Sequence, residues 1–574
     1  MAAGTFALEI FQLYRLNFQT FLVFCLVFLL ASLYLRRPGN LPPYPAGWWP
    51  VLGHLLALGR APHRKLTEWR RQNGDVFTVR MGMTDVVVMN GYPAVKDAVV
   101  DSLYLRRPGN LPPYPPGWWP VLGHLLALGR APHRKLTEWR RQYGDVFTVR
   151  MGMTDVVVMN GYPAVKDAVV DRSELFASRP PSYIFDACTG FGKAIGGGRW
   201  GDEMKQKKRF ASSALKTLGM KMGTGSVEES IREEAGCLCD KVMGYGGKSF
   251  DIERDIQVTI GNIICSMIFG NRFDHNDEGF KGLLGSAKTV ISNFSAAQLV
   301  TVFPFLRFVP GVNRSISSAT YHAGNIQKFI LDEIVCHQQN LDHENPRDFI
   351  DLGLTEVENQ GKVHNFTVEN VMFIAQDFFL AGIDTTTTAL RWGLLYMAMN
   401  TDIQERVQEE IDAVVGGALP ALSHRSQLPY TEACLMEALR IRTAAPFGLP
   451  HATSQPVAVG GFHIPTGTSV LMNLYSIHMD PAYWPDPDWF DPSRFRDKEG
   501  RVISKPDAFM PFSGGRRGCP GDKLAKMELF LIFTALLQNF TFKLPEGVAS
   551  YSTEGEYRGT LRPPESHKLC AIPR

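Results

Sequence analysis

Phe512-Ser-Gly-Gly-Arg-Arg-Gly-Cys519-Pro-Gly521 is the stretch of sequence that decides the fold. Its glycines, Gly515 and Gly521 among them, allow the backbone to approach a flat ligand closely, because glycine has no Cβ. Pro520 stands where a helix would start, and the following DKLAKMELFLIFTALLQNF has helical periodicity. Cys519 is therefore predicted at a helix N-terminus, where free amides and the helix dipole favour a thiolate.

A second motif, Ala381-Gly-Ile-Asp-Thr-Thr386, lies inside the apolar run 367–399. The run is apolar on nearly all sides, which predicts a buried central helix capped by the threonine at its start. Gly382 in mid-helix costs about 1 kcal/mol relative to alanine, and room for a diatomic ligand would explain it. Thr385 offers a hydroxyl and Asp384 a carboxyl group that can supply protons. The alternative is a kinked core helix with a solvated Asp384.

A third set of residues combines a glutamate with two arginines. Glu437 and Arg440 are spaced i, i+3 on a predicted helix, so their charges can pair. Arg494 follows in the segment Phe-Asp-Pro-Ser-Arg-Phe at 490–495, and His451 follows a proline after the Glu437 helix. His451 is either a ligand-facing residue or a satisfied loop histidine.

These motifs resemble those of the cytochrome P450 family. The family's haem-binding signature, F-x-x-G-x-R-x-C-x-G, is matched at every fixed position by Phe512, Gly515, Arg517, Cys519 and Gly521. The resemblance implies that Cys519 is the axial ligand of haem b and that Arg517 meets a haem propionate. In this family the thiolate donates charge that favours O–O cleavage.

The other motifs extend this resemblance over residues 103–574. A-G-x-D-T-T implies that Asp384 and Thr385 deliver protons to dioxygen, and the Pro-His pair implies that His451 meets a propionate. Glu437, Arg440 and Arg494 match a buried structural triad. The apolar N-terminal stretch, the proline-rich spacer at 38–45 that follows it, the Pro-His pair and the C-terminus are most similar to the family 2 group of animal microsomal P450s. The fold implied is mainly α with small β-sheets (α+β).

The implied activity is that of a monooxygenase, which inserts one oxygen atom of O2 into an apolar organic substrate such as a fatty acid, a steroid, an eicosanoid or a xenobiotic. Family position suggests an apolar substrate site that includes Phe378, Ala381, Phe447 and Leu449. The implied partners are an NADPH-cytochrome P450 reductase and cytochrome b5. A haem-thiolate isomerase acting on peroxides, or a non-catalytic membrane protein that cannot load haem, remains an alternative.

One segment departs from the family pattern W-x-x-x-[RK]-R-F. The sequence here is Trp200-Gly-Asp-Glu-Met-Lys-Gln-Lys-Lys208-Arg-Phe, four residues longer. Such an insertion rotates Trp200 off the helix face that carries Lys208. Trp200 is therefore doubtful as a haem contact, whereas Lys208 is kept as a candidate for haem binding. A basic docking face for the reductase is also suggested, the alternative being a solvated surface, by Lys205, Lys207, Lys208, Arg209, Arg516, Lys523 and Lys526.

The N-terminus predicts a membrane anchor. Residues 18–35 carry no charge and would reach about 27 Å as a helix, barely enough for a bilayer core. Two arginines follow, which favours a cytosolic C-terminal side and, with the resemblance, a single anchor in the endoplasmic reticulum membrane. A cleaved signal peptide is the alternative, although its apolar region would be unusually long.

Residues 32–101 recur at 102–171, 70 residues later. The two copies differ at Ala46 against Pro116 and at Asn73 against Tyr143. Such near-identity indicates a recent tandem duplication or a gene-model error, because solenoid repeats diverge and usually number three or more. The predicted organisation is an anchor at 1–35, an inserted copy at 36–101 and the haem-thiolate domain at 102–574.

Composition excludes other classes. The formal net charge of +3 gives no global field that would favour nucleic acid. Nine scattered cysteines include no C-x-x-C pair, which leaves zinc ribbons and thioredoxin-type motifs unsupported.

Overall fold

The computed structural model describes residues 62–74, 76–81, 84–89, 111–116, 122–152, 154–220, 225–364, 366–502 and 506–574. The predicted anchor at 1–35 lies outside them. The chain divides into two compact units, 1–108 and 109–574. Within the described ranges, no helix is both long and apolar enough to cross a bilayer.

Helices make up most of the described chain. They are α1 Pro62–Asn73, α2 Leu125–Leu128, α3 Pro132–Tyr143, α4 Gly161–Lys166, α5 Tyr183–Cys188, α6 Asp202–Met220, α7 Val227–Met243, α8 Glu253–Phe269, α9 Glu278–Val302, α10 Pro310–Gln339, α11 Phe349–His364, α12 Val368–Met399, α13 Thr401–Val414, α14 Pro429–Ile441, α15 Leu474–His478 and α16 Asp522–Asn539. The mainly helical architecture with small sheets confirms the predicted fold class.

The central helix α12 forms for the predicted reason. Thr367 caps it, and the cap is reciprocal, because Thr367 accepts from the Asn370 N–H while the Asn370 side chain accepts from the Thr367 N–H. Most of its side chains are buried, and it packs against α8, α10, α11, α14 and α16. A helix that is apolar on all sides belongs in the middle of a large core.

The strands form small sheets. They are β1 Val76–Met81, β2 Thr84–Met89, β3 Val146–Met151, β4 Thr154–Asn160, β5 Ser249–Phe250, β6 His451–Ala452, β7 Val457–Val459, β8 Phe462–Ile464, β9 Ser469–Asn473, β10 Phe540–Lys543 and β11 Leu569–Pro573. In the larger unit the sheets have the orders β3-β4-β9-β6, β10-β11-β5 and β7-β8. The parallel β4–β9 pair, with Val158 opposite Leu471, holds the second copy of the repeat in a sheet that also contains His451.

The smaller unit contains α1 and the antiparallel hairpin β1–β2. The ring of Trp69 packs edge-on against that of Phe77 at 6.5 Å. The helix and the hairpin therefore share a small apolar cluster within the first copy.

Candidate active site

The loop that carries Cys519 is built by close backbone packing. Gly515 has φ +62°, and a Cβ there would lie 1.6 Å from the Val169 carbonyl oxygen. Glycine is therefore required at position 515 by packing against the π-helical turn Asp167–Asp171. The predicted reason was a different one, close approach of the backbone to a flat ligand. The Cys519 N–H donates to Phe512 O at 3.0 Å, which closes the loop before α16 begins at Asp522.

Cys519 is solvent-exposed as a residue, so its thiol is accessible. Protein atoms nevertheless crowd around the sulfur, and this partial burial raises the pKa of the thiol. The Gly521 N–H, Lys208 and Lys526 act in the opposite direction and lower this pKa. Burial thus outweighs the groups that favour the charged form, and coordination to a metal would stabilise the thiolate, whose presence at Cys519 stays a prediction.

Beside this loop lies a group of basic side chains, here called the cationic cluster: Arg179, Lys208, His451 and Arg517. Lys208 donates to the carbonyls of Arg516 and Gly518, the latter at 2.9 Å, and so binds the Cys519 loop directly. Arg517 donates to Ala177 O at 2.6 Å, Ile195 O at 2.9 Å and Gly198 O. These contacts tie the loop to the segment before α6.

Arg179 and His451 are the remaining two members of the cationic cluster. Arg179 donates to Gly196 O at 3.0 Å and to Pro450 O at 2.8 Å. The neighbouring His451 is held through Nδ1, 2.8 Å from Phe176 O. Backbone carbonyls therefore orient both side chains.

The cationic cluster holds more positive than negative charge. Burial and repulsion from Arg517 lower the pKa of Arg179 to about 9, while burial, Arg517 and Arg179 lower that of Lys208 to about 8. Burial and Arg179 lower the pKa of His451 to about 3, so its ring is neutral. Burial lowers the pKa of Arg517 to about 10, and nearby Asp377, whose own pKa burial raises to about 6, only partly opposes that shift. An anionic group is needed here, and the propionates of haem b beside an accessible thiol fit that need.

Trp200 lies just before α6, outside the helix that carries Lys208, and close to the cluster. Arg517 lies over the Trp200 ring at 5.1 Å, and Lys205 lies 5.9 Å from the same ring. Trp200 thus contacts the guanidinium predicted to meet a propionate, while Lys208, two turns along the helix, reaches the cysteine loop. Whether either touches haem stays a prediction.

The acid–threonine motif lies halfway along α12. Ala381 is exposed although most of α12 is buried, which indicates an accessible space beside the helix. Thr385 Oγ1 donates to Ala381 O at 2.7 Å. Asp384 accepts from Gln257 at 2.9 Å, and burial raises the pKa of its carboxyl. A Cβ on Gly382 would come within 2.7 Å of the Ile264 side chain, so contact with α8 supplies a reason for this glycine other than ligand room.

A buried contact joins this motif to the helix that follows Cys519. Thr386 Oγ1 donates to Glu528 Oε2 at 2.9 Å, between α12 and α16. Burial raises the pKa of Glu528 to about 8, so this carboxyl is mostly protonated at neutral pH. Glu528 was not predicted as a site residue, because its position in the sequence is typical of any amphipathic helix.

The predicted triad is assembled. Arg440 binds Glu437 through two contacts of 2.7 Å, and Arg494 Nε lies 3.4 Å from Glu437 Oε1. The side chains of Glu437 and Arg440 are fully buried. Arg440 also donates to His478 O, and His478 in turn accepts from the Met510 N–H at 3.0 Å. The triad therefore supports the segment that leads into the cysteine loop.

The predicted apolar residues have varied surroundings. Phe378 is buried edge-on against Phe349 at 5.0 Å, and Phe447 stacks on Tyr557 at 6.2 Å. The Leu449 carbonyl accepts from Arg179 at 3.1 Å. Lys526 lies 4.8 Å from the ring of Phe512, the first residue of the cysteine stretch. Their roles toward substrate and haem stay predictions.

Two further residues of the site escaped the sequence analysis. Asp377 accepts from the N–H groups of Gly196 and Ile195, and Arg179 joins the cationic cluster. Asp377 interrupts the apolar run one turn before Ala381, a signal that the sequence does contain. Arg179 follows an Ala-Ser pair in a loop and has no comparable signal.

The predicted docking face is wrong in one member. Lys207 is buried, 2% exposed at its side chain, and lies 2.5 Å from Glu203. Lys208 is engaged with backbone carbonyls, as described above. Arg516 remains exposed, and Lys526 pairs with Asp522 at 2.9 Å.

Comparison with known proteins agrees with this geometry. The family model described as Cytochrome P450 matches residues 42–110 and 112–571. Cytochrome P450 2D4 of Rattus norvegicus is 38% identical over 83% of this chain and 96% of its own length. Cytochrome P450 2D6 of Homo sapiens is 36% identical over 86% of this chain and 100% of its own. Cytochrome P450 2C3 of Oryctolagus cuniculus is 38% identical over 81% and 94%.

Proposed function

Because the chain belongs to the cytochrome P450 family, and is thus a haem-thiolate monooxygenase that uses haem b, we propose that Cys519 is its iron ligand. One observation carries this proposal: the exposed Cys519 thiol lies beside the cationic cluster, which holds more basic side chains than carboxylates among the described residues. A ligand with a metal centre and acidic substituents would bind the thiol through the metal and balance the positive charge of the cluster through the acids. Arg179, Lys208 and Arg517 would hold those substituents.

Bound haem supplies the iron chemistry by which one oxygen atom of O2 enters the substrate and the other becomes water. We propose that the protein's share is to move protons. The raised pKa of Asp384 keeps a proton on its carboxyl more often than on a solvated aspartate. Thr385 Oγ1, held toward Ala381 O beside the accessible part of α12, is the atom that passes the proton on.

The substrate is proposed to be apolar and small, such as a fatty acid, a steroid, an eicosanoid or a xenobiotic. Phe378, Ala381, Phe447 and Leu449 would contact it. The electrons are proposed to come from an NADPH-cytochrome P450 reductase, with cytochrome b5 as a second donor. Exposed basic residues near Cys519, Arg516 and Lys523 in particular, would face these partners.

We also propose a division of the chain into an anchor, an inserted copy and a haem-thiolate domain. Residues 102–171 belong to the haem-thiolate domain, supported by the pairing of β4 with β9 and by a unit boundary at 108/109. Residues 36–101 are an inserted copy, and residues 1–35 anchor the chain in the endoplasmic reticulum membrane with the catalytic domain in the cytosol.

Reconstitution tests the proposed reaction. With NADPH, the reductase and a panel of apolar substrates, we expect a product that carries one added oxygen atom and requires both NADPH and reductase. A product formed from a lipid peroxide without reductase would indicate an isomerase instead. Failure to take up haem at all would indicate the non-catalytic alternative.

A matched pair of threonines tests the proton path. Thr385→Ala should lower product formed per NADPH consumed, because NADPH oxidation continues while proton delivery fails. Thr289→Ala is the control, since Thr289 makes the same bond one turn back, to Gly285 O at 2.8 Å, on the exposed face of α9. Equal coupling in Thr385→Ala and Thr289→Ala would contradict the role of Thr385.

A further inference from the structure

Two buried arginines, Arg442 at the end of α14 and Arg562 in the C-terminal loop, form what is here called the paired-arginine site. They are 4% and 2% exposed. Aromatic rings surround them: Arg442 lies 5.8 Å from the rings of both Trp392 and Tyr396, and Arg562 lies 5.3 Å from that of Tyr475. Water is therefore largely excluded from both guanidinium groups.

Several of their N–H groups find no acceptor in the described protein. Nε of Arg442 and both Nε and Nη1 of Arg562 lack a hydrogen-bond partner, as does the Tyr396 hydroxyl nearby. Nη1 of Arg442 donates to the carbonyl of the preceding residue, Ile441. Buried donors in proteins are nearly always paired, so this concentration of unpaired donors needs an acceptor.

The charge of the pair is also uncompensated by any carboxylate in contact among the residues that the structure describes. The pKa of Arg562 is lowered by burial and then by repulsion from Arg442. The carboxylate that acts on it, Glu554, already binds Arg134. Other deeply buried arginines have a carboxylate in contact: Arg391 lies 2.7 Å from Glu253, as Arg440 does from Glu437. An unpaired buried charge is strongly unfavourable, and here two charges of the same sign repel each other.

We propose that Arg442 and Arg562 bind a small monovalent anion, a halide or a carboxylate, between the aromatic rings. Guanidinium N–H groups suit either, because they can converge on a halide or bind a carboxylate in a bidentate way. The anion comes either from solution or from an acidic substrate. The second source has a structural basis: the Arg562 backbone N–H donates to Ala444 O at 2.8 Å, three residues before Phe447, which is proposed to contact the substrate.

Thermal unfolding of the full-length holoenzyme tests the site. At constant ionic strength, gluconate is replaced stepwise by chloride or bromide. We expect a saturable rise of about 1–2 °C in Tm, because a ligand that binds the folded state stabilises it. The rise should vanish in Arg562→Gln, with Arg442→Gln as a second variant if the first does not fold. Arg558→Gln, which removes an accessible arginine paired with Glu253, should keep the wild-type response.

A second arm, which rests on the proposed function, separates the two sources. Spectral titration compares a saturated fatty acid with the alcohol of equal length. Tighter binding of the acid that chloride weakens and Arg562→Gln abolishes assigns the anion to the substrate. A halide response without preference for the acid assigns it to solution. Equal Tm shifts in the wild type and Arg562→Gln, with no acid preference, would overturn the proposal, whatever the enzyme's turnover.

Discussion

The two copies of the 70-residue repeat form the same local structure. In the first, α1 precedes the hairpin β1–β2, and in the second, α3 precedes β3–β4. The hairpin registers correspond pair by pair, Val76 with Met89 and Val146 with Met159. The edge-on ring contact is also repeated, at 6.5 Å for the first copy and 6.4 Å between Trp139 and Phe147 in the second.

The copies differ in what the rest of the chain offers them. β4 pairs with β9, and Arg140 reaches Asp480 at 2.7 Å, whereas β1 and β2 pair with each other in the described part of the chain. A two-stranded hairpin alone is marginal in water. Local sequence thus determines the helix and hairpin, whereas distant partners determine which copy belongs to the large fold.

The largest expected contrast comes from a charge in the hairpin. Val158 is fully buried opposite Leu471, so Val158→Asp should cost more than about 4 kcal/mol and abolish haem loading. Val88→Asp, the equivalent change in the first copy, should leave haem content unchanged. Haem content of the purified chain is the measurement. Tolerance of either single change, with failure of the double variant, would show that the copies can replace each other.

The tryptophans give a smaller contrast. Trp139→Ala should lower the free energy of unfolding of the holoenzyme by about 3–5 kcal/mol, because a large buried ring is lost from the cluster with Phe147. Trp69→Ala should loosen the first hairpin and leave the haem-release midpoint in denaturant unchanged. Equal shifts of that midpoint would contradict the assignment of the second copy to the large unit.

Loss of an ion pair should have a weaker effect. Arg140 contacts Asp145 at 2.5 Å and Asp480 at 2.7 Å and is partly exposed, so Arg140→Gln should cost about 1–2 kcal/mol. Arg70→Gln is the control at the matching position. Chemical denaturation of both variants measures the difference. A larger loss of unfolding free energy from Arg70→Gln would contradict the assignment of the second copy to the large fold.

The smallest effect is expected where the copies differ. Tyr143 packs against Phe147 at 6.4 Å, so Tyr143→Asn should cost about 0.5–1.5 kcal/mol. Asn73→Tyr should be neutral for the holoenzyme. If Tyr143→Asn stabilised the chain, the aromatic contact would not be the reason for the tyrosine.

Local signals in the sequence predict much of this structure. α12 begins directly after the predicted threonine cap, because capping and periodicity are properties of neighbouring residues. α16 begins two residues after the predicted proline, a difference within the usual uncertainty of helix ends. The triad was also accessible, since its members lie in recognisable motifs.

What the sequence could not supply is contact between distant segments. Position 515 requires glycine because a Cβ there would overlap Val169, and position 382 because a Cβ there would come too close to Ile264. Neither contact can be inferred from the motif that contains the glycine. The cationic cluster gains Arg179, which precedes Cys519 by hundreds of residues. Charge balance is likewise a property of the folded chain, so neither the cationic cluster nor the paired-arginine site could be predicted from the sequence.

The sulfur–iron bond is tested most directly by the difference spectrum of the reduced, carbon-monoxide-bound protein. The wild type should show the red-shifted band of a thiolate ligand, and Cys519→Ser should lose it. Cys336→Ser, at another exposed cysteine, should retain it. A thiolate band that survives in Cys519→Ser would contradict the assignment of Cys519 as the iron ligand.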